Sequence, residues 1–145
     1  MKIWFDMDGT ITDLYGVKDW LPQLIAEDPS PYEVAKPMVN LALLARLLNR
    51  AQAEGHEIGV ITWTSKGGSY SYHQAVALAK RAWLKAHLPS VQWDTIEIME
   101  YGTPKQLVCG SGILFDDEEG NRANWNCGSA YEPDRIFEIL KEILT

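Results

Sequence analysis

The fragment FDMDGT, residues 5–10, places two carboxylates, Asp6 and Asp8, two residues apart at the end of an apolar run, with Gly9 immediately after. Side chains two apart in an extended chain point the same way, so this pair repels itself unless a cation or a proton sits beside it. A hard divalent ion relieves that repulsion. Magnesium prefers oxygen ligands in an octahedron, keeps several waters, and typically takes one or two carboxylates plus a substrate phosphate. Gly9 permits a sharp turn after Asp8, because glycine reaches positive φ without steric cost. The plainer alternative is a turn whose carboxylates merely cap a helix.

A second acidic group, DDEEGN at residues 116–121, follows another short apolar stretch. Position makes Asp116 a candidate ligand, while Asp117 reads as a nearby partner or as surface, and Glu118 and Glu119 read as solvated. The run is not a calcium loop of the EF-hand type. Aligning Gly120 with that loop's invariant glycine puts Phe115, which has no oxygen to offer, at the first ligand position.

The elements that must position these groups follow from periodicity. Lys2 to Phe5 reads as a short buried strand, and His56 to Thr62 as a second one. Weaker strands are predicted at Thr95 to Met99 and Gly112 to Phe115. Between them, Met38 to Glu54 carries Leu41, Leu44, Ala45 and Leu48 on one helical face, and Gly55 suits its C-terminal cap. A helix from about Ser71 has Ser71 and Gln74 at capping-box spacing and an apolar side of Ala75, Val76, Ala79, Trp83 and Ala86, with Lys80, Arg81 and Lys85 away from it. Pro133 to Leu144 reads as a closing helix. The three prolines of EDPSPYEVAKP, residues 27–37, argue against a regular helix there and for a flap or a surface crossover.

Alternating strands and helices predict an α/β domain with a largely parallel sheet. Such sheets bind ligands beyond the carboxyl ends of their strands, where Asp6, Asp8, Thr62, Asp116 and Asp117 all fall.

At this level of detail the residues resemble a known family. DMDGT matches the first motif, DxDGT, of the haloacid dehalogenase-like (HAD) phosphohydrolase superfamily. Thr62 after an apolar strand is similar to the second motif, Lys105 to the third-motif lysine, and Asp116 with Asp117 to the acidic fourth motif. The resemblance implies a Rossmann-like, HAD-like parallel sheet flanked by helices, and a magnesium-dependent phosphomonoester hydrolase acting through an aspartyl-phosphate. In that scheme Asp6 is the nucleophile and Asp8 the acid and base. Thr62 and Lys105 bind phosphate, and magnesium is held by Asp6, Asp8 through its backbone carbonyl, and Asp116. Thr64 rivals Thr62, since the strand end is located only to within a few residues, and Lys66, which follows the second motif, rivals Lys105, which the family's order favours.

The interval from Asp13 to Met38 is too short for a separate cap domain. The resemblance is therefore to minimal, capless members, a single domain over residues 1–145 with a short helix and flap insert at about 14–37. Open sites of that kind suit larger substrates or are shielded by an oligomeric partner. Trp63 is the one hint of a nucleotide phosphatase; Tyr15, Trp20 and Tyr32 lie after the first motif, where they either border the site or, the safer reading, pack in the core. A non-enzymatic reading, a receiver-like phosphoacceptor or a binding domain, shares the acidic residues, hydroxyl, lysine and magnesium. Receivers, however, carry the reactive Asp after a middle strand.

Composition bounds the rest. The chain has 145 residues, 46% hydrophobic and 23% charged, with six Trp and six Tyr, in the globular range. A net charge of -7 argues against coating nucleic acid or an anionic membrane. Cys109 and Cys127 lack metal-site spacing, and no basic leader or long apolar run is visible, so a cytoplasmic location is expected, while the resemblance implies a phosphorylated substrate. His56, His73 and His87 share no metal spacing.

Overall fold

A computed structural model describes all 145 residues. In chain order its elements are β1 (Lys2–Phe5), β2 (Thr12–Asp13), α1 (Trp20–Ile25), α2 (Ser30–Val34), β3 (Lys36–Pro37), α3 (Leu41–Ala53), β4 (Glu57–Trp63) and α4 (Tyr70–His87). They continue as β5 (Thr95–Met99), α5 (Lys105–Cys109), β6 (Ile113–Phe115), α6 (Glu119–Asn124), β7 (Ala130–Tyr131) and α7 (Ile136–Ile143).

Five strands form one parallel sheet in the order β5-β4-β1-β6-β7. From β1 the chain builds outward through β4 to β5, then returns to the other side of β1 for β6 and β7. Right-handed crossovers then place helices on opposite faces according to the direction of travel. Leu44, Leu47 and Leu48 of α3 and Trp83 and Leu84 of α4 accordingly share one core with Ile3, Phe5, Ile58 and Val60, joined by Ile136, Ile139 and Leu140 of α7. Cys109 at the end of α5 and Trp125 after α6 pack on the opposite face with Trp4, Ile61 and Leu114. Alternation along β1, Ile3 and Phe5 one way and Trp4 the other, is what lets four residues serve two cores. Trp4 pairs in register with Gly59, and its ring fills the space a side chain there would need.

The predicted strands and the two long helices are present, β1 and β5 with the expected ends and the others with ends shifted by at most three residues. Two details differ. The cap of α4 is Ser69, whose hydroxyl accepts from the Tyr72 amide at 3.2 Å, in place of Ser71 with Gln74. The buried stripe of α4 runs Tyr72, Val76, Ala79, Lys80, Trp83 and Leu84, so Lys80 lies on the inner side and Ala86 is exposed.

Residues 27–37 are neither a loose flap nor a bare crossover. Pro31 sits in the first turn of α2, where its missing N–H costs nothing, and β3 pairs antiparallel with β2. Leu14, Leu24 and Tyr32 of the insert pack against Tyr72, Val76 and Ala79 of α4.

Candidate active site

The sheet reverses direction at β1, so a crevice opens between the carboxyl ends of β1 and β6, the place where α/β sheets bind ligands. Asp6 and Asp116 are the first residues beyond those two strands, and the Asp6 amide donates to the Phe115 carbonyl at 3.0 Å, holding the two ends together. Asp6 is 7% exposed and Asp116 fully buried.

Lys105, buried at the start of α5, bridges them: Nζ lies 3.0 Å from Asp6 Oδ1 and 2.6 Å from Asp116 Oδ2. Burial works against its charge, yet the two carboxylates hold it above the ordinary lysine range. Lys66, by contrast, is exposed, beside the ring of Tyr101. Of the two lysines considered from sequence, Lys105 is the one that touches the carboxylates.

Asp117 completes the acidic group. Carboxylate oxygens of Asp6, Asp116 and Asp117 all lie within 4.8 Å of one another. The Thr10 hydroxyl lies 3.3 Å from Asp6 Oδ2 and 3.4 Å from Asp117 Oδ1. Burial, reinforced by the Asp6 charge, pushes Asp116 and Asp117 up from the usual carboxylate range, with Lys105 opposing the shift at Asp116. Such a site holds either extra protons or a cation. The donor set is oxygen only, which suits magnesium. Asp117, read from sequence as a nearby partner or surface, is a member of this group. The Asp8 carboxylate, two residues beyond Asp6, is not.

Asp8 is turned the other way. Its Oδ2 lies 2.7 Å from Lys80 Nζ, and its Oδ1 accepts from the Thr12 hydroxyl at 3.3 Å. Lys80 is 1% exposed and spends its remaining donors on Thr62 Oγ1 at 2.7 Å and the Trp63 carbonyl at 2.6 Å. Tyr32 covers it, ring centroid 5.4 Å from Nζ. Burial raises Asp8 above the ordinary carboxylate value, Lys80 opposes the rise, and Asp6 adds to it. The placement of Lys80 away from the packed side of its helix is thus corrected: with Lys105 it is one of two buried cations at the site. The signal was the spacing Tyr72, Val76, Lys80, Leu84, a four-residue row that continues through the lysine.

Thr62, near the end of β4, accepts from Lys80 and so keeps its own hydroxyl proton free to donate. Thr64 is paired with His73 at 2.6 Å. Above the carboxylates lies a cavity of about 310 Å³ whose lining includes Asp6, Asp8, Thr62 and Lys105. Tyr15, Trp20 and Tyr32, read from sequence as packing or as bordering the site, all line it, Tyr32 while buried. Glu118, expected to be solvated, is half-buried at its edge.

The fit to Gly9 is tight. Its φ is +79°, and a β-carbon there would collide with the Asp117 carboxylate. Gly9 therefore serves both the turn and the approach of the third carboxylate.

No helix is long and apolar enough to cross a membrane. No protein-family model matches the sequence, and no curated protein sequence matches it. Among solved structures, D,D-heptose 1,7-bisphosphate phosphatase from Burkholderia thailandensis is similar over 88% of this chain and 74% of that one, with a TM-score of 0.50 and 12% identity. At that identity the likeness is one of fold: a parallel, Rossmann-like sheet flanked by helices.

Proposed function

We propose that this protein is a magnesium-dependent phosphomonoester hydrolase that works through an aspartyl-phosphate on Asp6. The observation that carries the reading is the division of labour around the two carboxylates of the first strand: Asp6 faces Lys105 and the acidic group, while Asp8 faces Lys80. The similarity in fold to a phosphatase supports the same class of chemistry.

Asp6 attacks phosphorus with one carboxylate oxygen, displacing the alcohol of the ester and leaving an acyl phosphate. Asp8, whose burial favours its protonated form, delivers that proton to the departing oxygen and takes one back from the water that cleaves the intermediate. Lys105 and the Thr62 hydroxyl neutralise and orient the phosphoryl oxygens. Asp6, Asp116 and Asp117, with the Asp8 backbone carbonyl, would hold magnesium, which supplies charge neutralisation between nucleophile and phosphate. Lys80 fixes the Asp8 side chain and the Thr62 hydroxyl in one network.

The test is release of inorganic phosphate from a panel of monoesters, with magnesium or with chelator, for the wild type and Asp6→Asn. Magnesium-dependent release, lost in Asp6→Asn, is expected. Turnover that survives in Asp6→Asn would refute the covalent mechanism, and stable phosphorylation without turnover would favour a phosphoacceptor.

A further inference from the structure

The cavity above the carboxylates has a composition that the phosphate chemistry does not require. Nine of its eighteen lining residues are hydrophobic, and they come from separate parts of the chain. The insert contributes an edge-to-face pair, Tyr15 and Trp20, with ring centroids 5.1 Å apart, and the exposed Leu21 and Ile25 of α1. The ends of β4 and β5 contribute a second pair, Trp63 and Tyr101, at 5.0 Å. Leu21, Ile25, Tyr15 and Tyr101 are 48, 72, 48 and 47% exposed, so apolar surface is held open to solvent where a substrate enters.

Part of the polar lining of the same walls is spent. Thr64 is paired with His73, the Ser65 hydroxyl donates to the Gly67 carbonyl, and Asn121 donates to Asp116 and Glu118. The Trp63 indole N–H donates to the Thr103 carbonyl, fixing its ring. The Tyr15, Tyr32 and Tyr101 hydroxyls and the Lys66 ammonium keep their polar atoms for a ligand, but against the exposed Leu21 and Ile25 and the aromatic faces a polyhydroxylated alcohol would give up water without replacement. A flat ring would bury apolar surface on both sides and meet aromatic faces and edges. The volume, about 310 Å³, is at the low end of the small-molecule range of roughly 300–1,000 Å³, room for one compact group beside the phosphate.

We infer that the site selects phosphate monoesters whose alcohol carries a compact aromatic ring, held between the insert wall and the Trp63–Tyr101 wall, over esters of sugars and other polyols. This rests on the phosphatase reading for its chemistry but on the cavity walls for its selectivity, and the two fail separately.

The experiment compares phenethyl phosphate with glycerol phosphate. Both are esters of alkyl alcohols, so intrinsic leaving-group reactivity differs little and kcat/KM reports the walls. A preference of about tenfold or more for the phenethyl ester is expected, as for a site that distinguishes apolar groups. Trp20→Ala and Ile25→Asn should each bring that ratio down several-fold. In parallel, calorimetry on the Asp6→Asn protein compares binding of phenethylphosphonate with that of a hydroxylated alkylphosphonate of similar size. Equal or better turnover of glycerol phosphate, or a ratio unmoved by both wall variants, overturns the inference and leaves the phosphatase standing. No turnover of either ester, with tighter binding of the aromatic phosphonate, overturns the phosphatase and leaves the selectivity. Absence of both turnover and preferential binding overturns both.

Discussion

Replacing Lys80 with methionine keeps most of the aliphatic volume in a fully buried position and removes one positive charge. Three acceptors lose their donor at once: Asp8 Oδ2, Thr62 Oγ1 and the Trp63 carbonyl. Breaking a buried ion pair from one side costs about 3–5 kcal/mol, because the remaining charge is left uncompensated. For a domain of this size each kcal/mol is worth roughly 2–4 °C, so Lys80→Met should melt about 6–20 °C below the wild type. Asp8 can escape part of that penalty by keeping a proton. Its pKa is already raised in the folded state, and loss of Lys80 raises it further, so the folded state holds the proton more tightly than the unfolded chain does. The Asp8 share of the penalty is therefore absent below the ordinary Asp value of about 4, builds as pH rises toward the raised folded-state value, and is complete above it, while the share from the Thr62 hydroxyl and the Trp63 carbonyl stays the same at every pH. Thermal or urea melts of the chelated protein near neutral pH and at mildly acid pH measure the gap, which should narrow on acidification. Lys80→Met combined with Asp8→Asn should recover much of the loss, a coupling readable from the double-mutant cycle. A gap under about 0.5 kcal/mol at neutral pH, the level of an ordinary surface change, would refute the assignment of Lys80 as the partner that compensates Asp8.

Magnesium at a hundred times its dissociation constant should stabilise the wild type by about 2.7 kcal/mol, and Asp117→Asn should shrink that shift; an unchanged shift would remove Asp117 from the ligand set. Lys105→Met leaves Asp6 and Asp116 without their shared cation, so the chelated protein should lose about 3–5 kcal/mol, with magnesium restoring more of its stability than it adds to the wild type, as paired melts would register. Gly9→Ala should cost at least about 1–3 kcal/mol from the positive φ alone and weaken magnesium binding by displacing Asp117; a melt and a metal titration matching the wild type would contradict both.

What the sequence discloses depends on how locally each feature is encoded. Ile3 to Phe5 and Ile58 to Thr62 are buried runs whose apolar letters announce strands, and the Asp-x-Asp-Gly spacing announces its own geometry. Lys80 did not announce itself, because a stripe traced through Ala75, Val76, Ala79, Trp83 and Ala86 passes beside it and a lysine counts by default as solvent-facing. Only the tertiary pairing with Asp8, seventy-two positions away in sequence, makes its burial tolerable. The insert was obscured for another reason. Five- and six-residue helices carry too little periodicity to be read, and their stability comes from docking on α4. Asp117 illustrates a third limit, since a run of four acidic residues does not reveal which of them turn inward.

Helix α4 faces two ways at once. Tyr72, Val76 and Ala79 seat the insert, and Lys80, one turn on from Val76, grips the Asp8 carboxylate beneath the ring of Tyr32, itself part of the insert. The segment that walls the substrate cavity is thus also the waterproofing of the ion pair. Residues 14–37 cannot be exchanged as a cassette: a graft designed only to reshape the entrance would wet Lys80 and loosen its hold on Asp8. Changes in substrate range that leave chemistry intact are confined to the outward side chains of α1, such as Leu21 and Ile25, which face the cavity and help seal nothing beneath it.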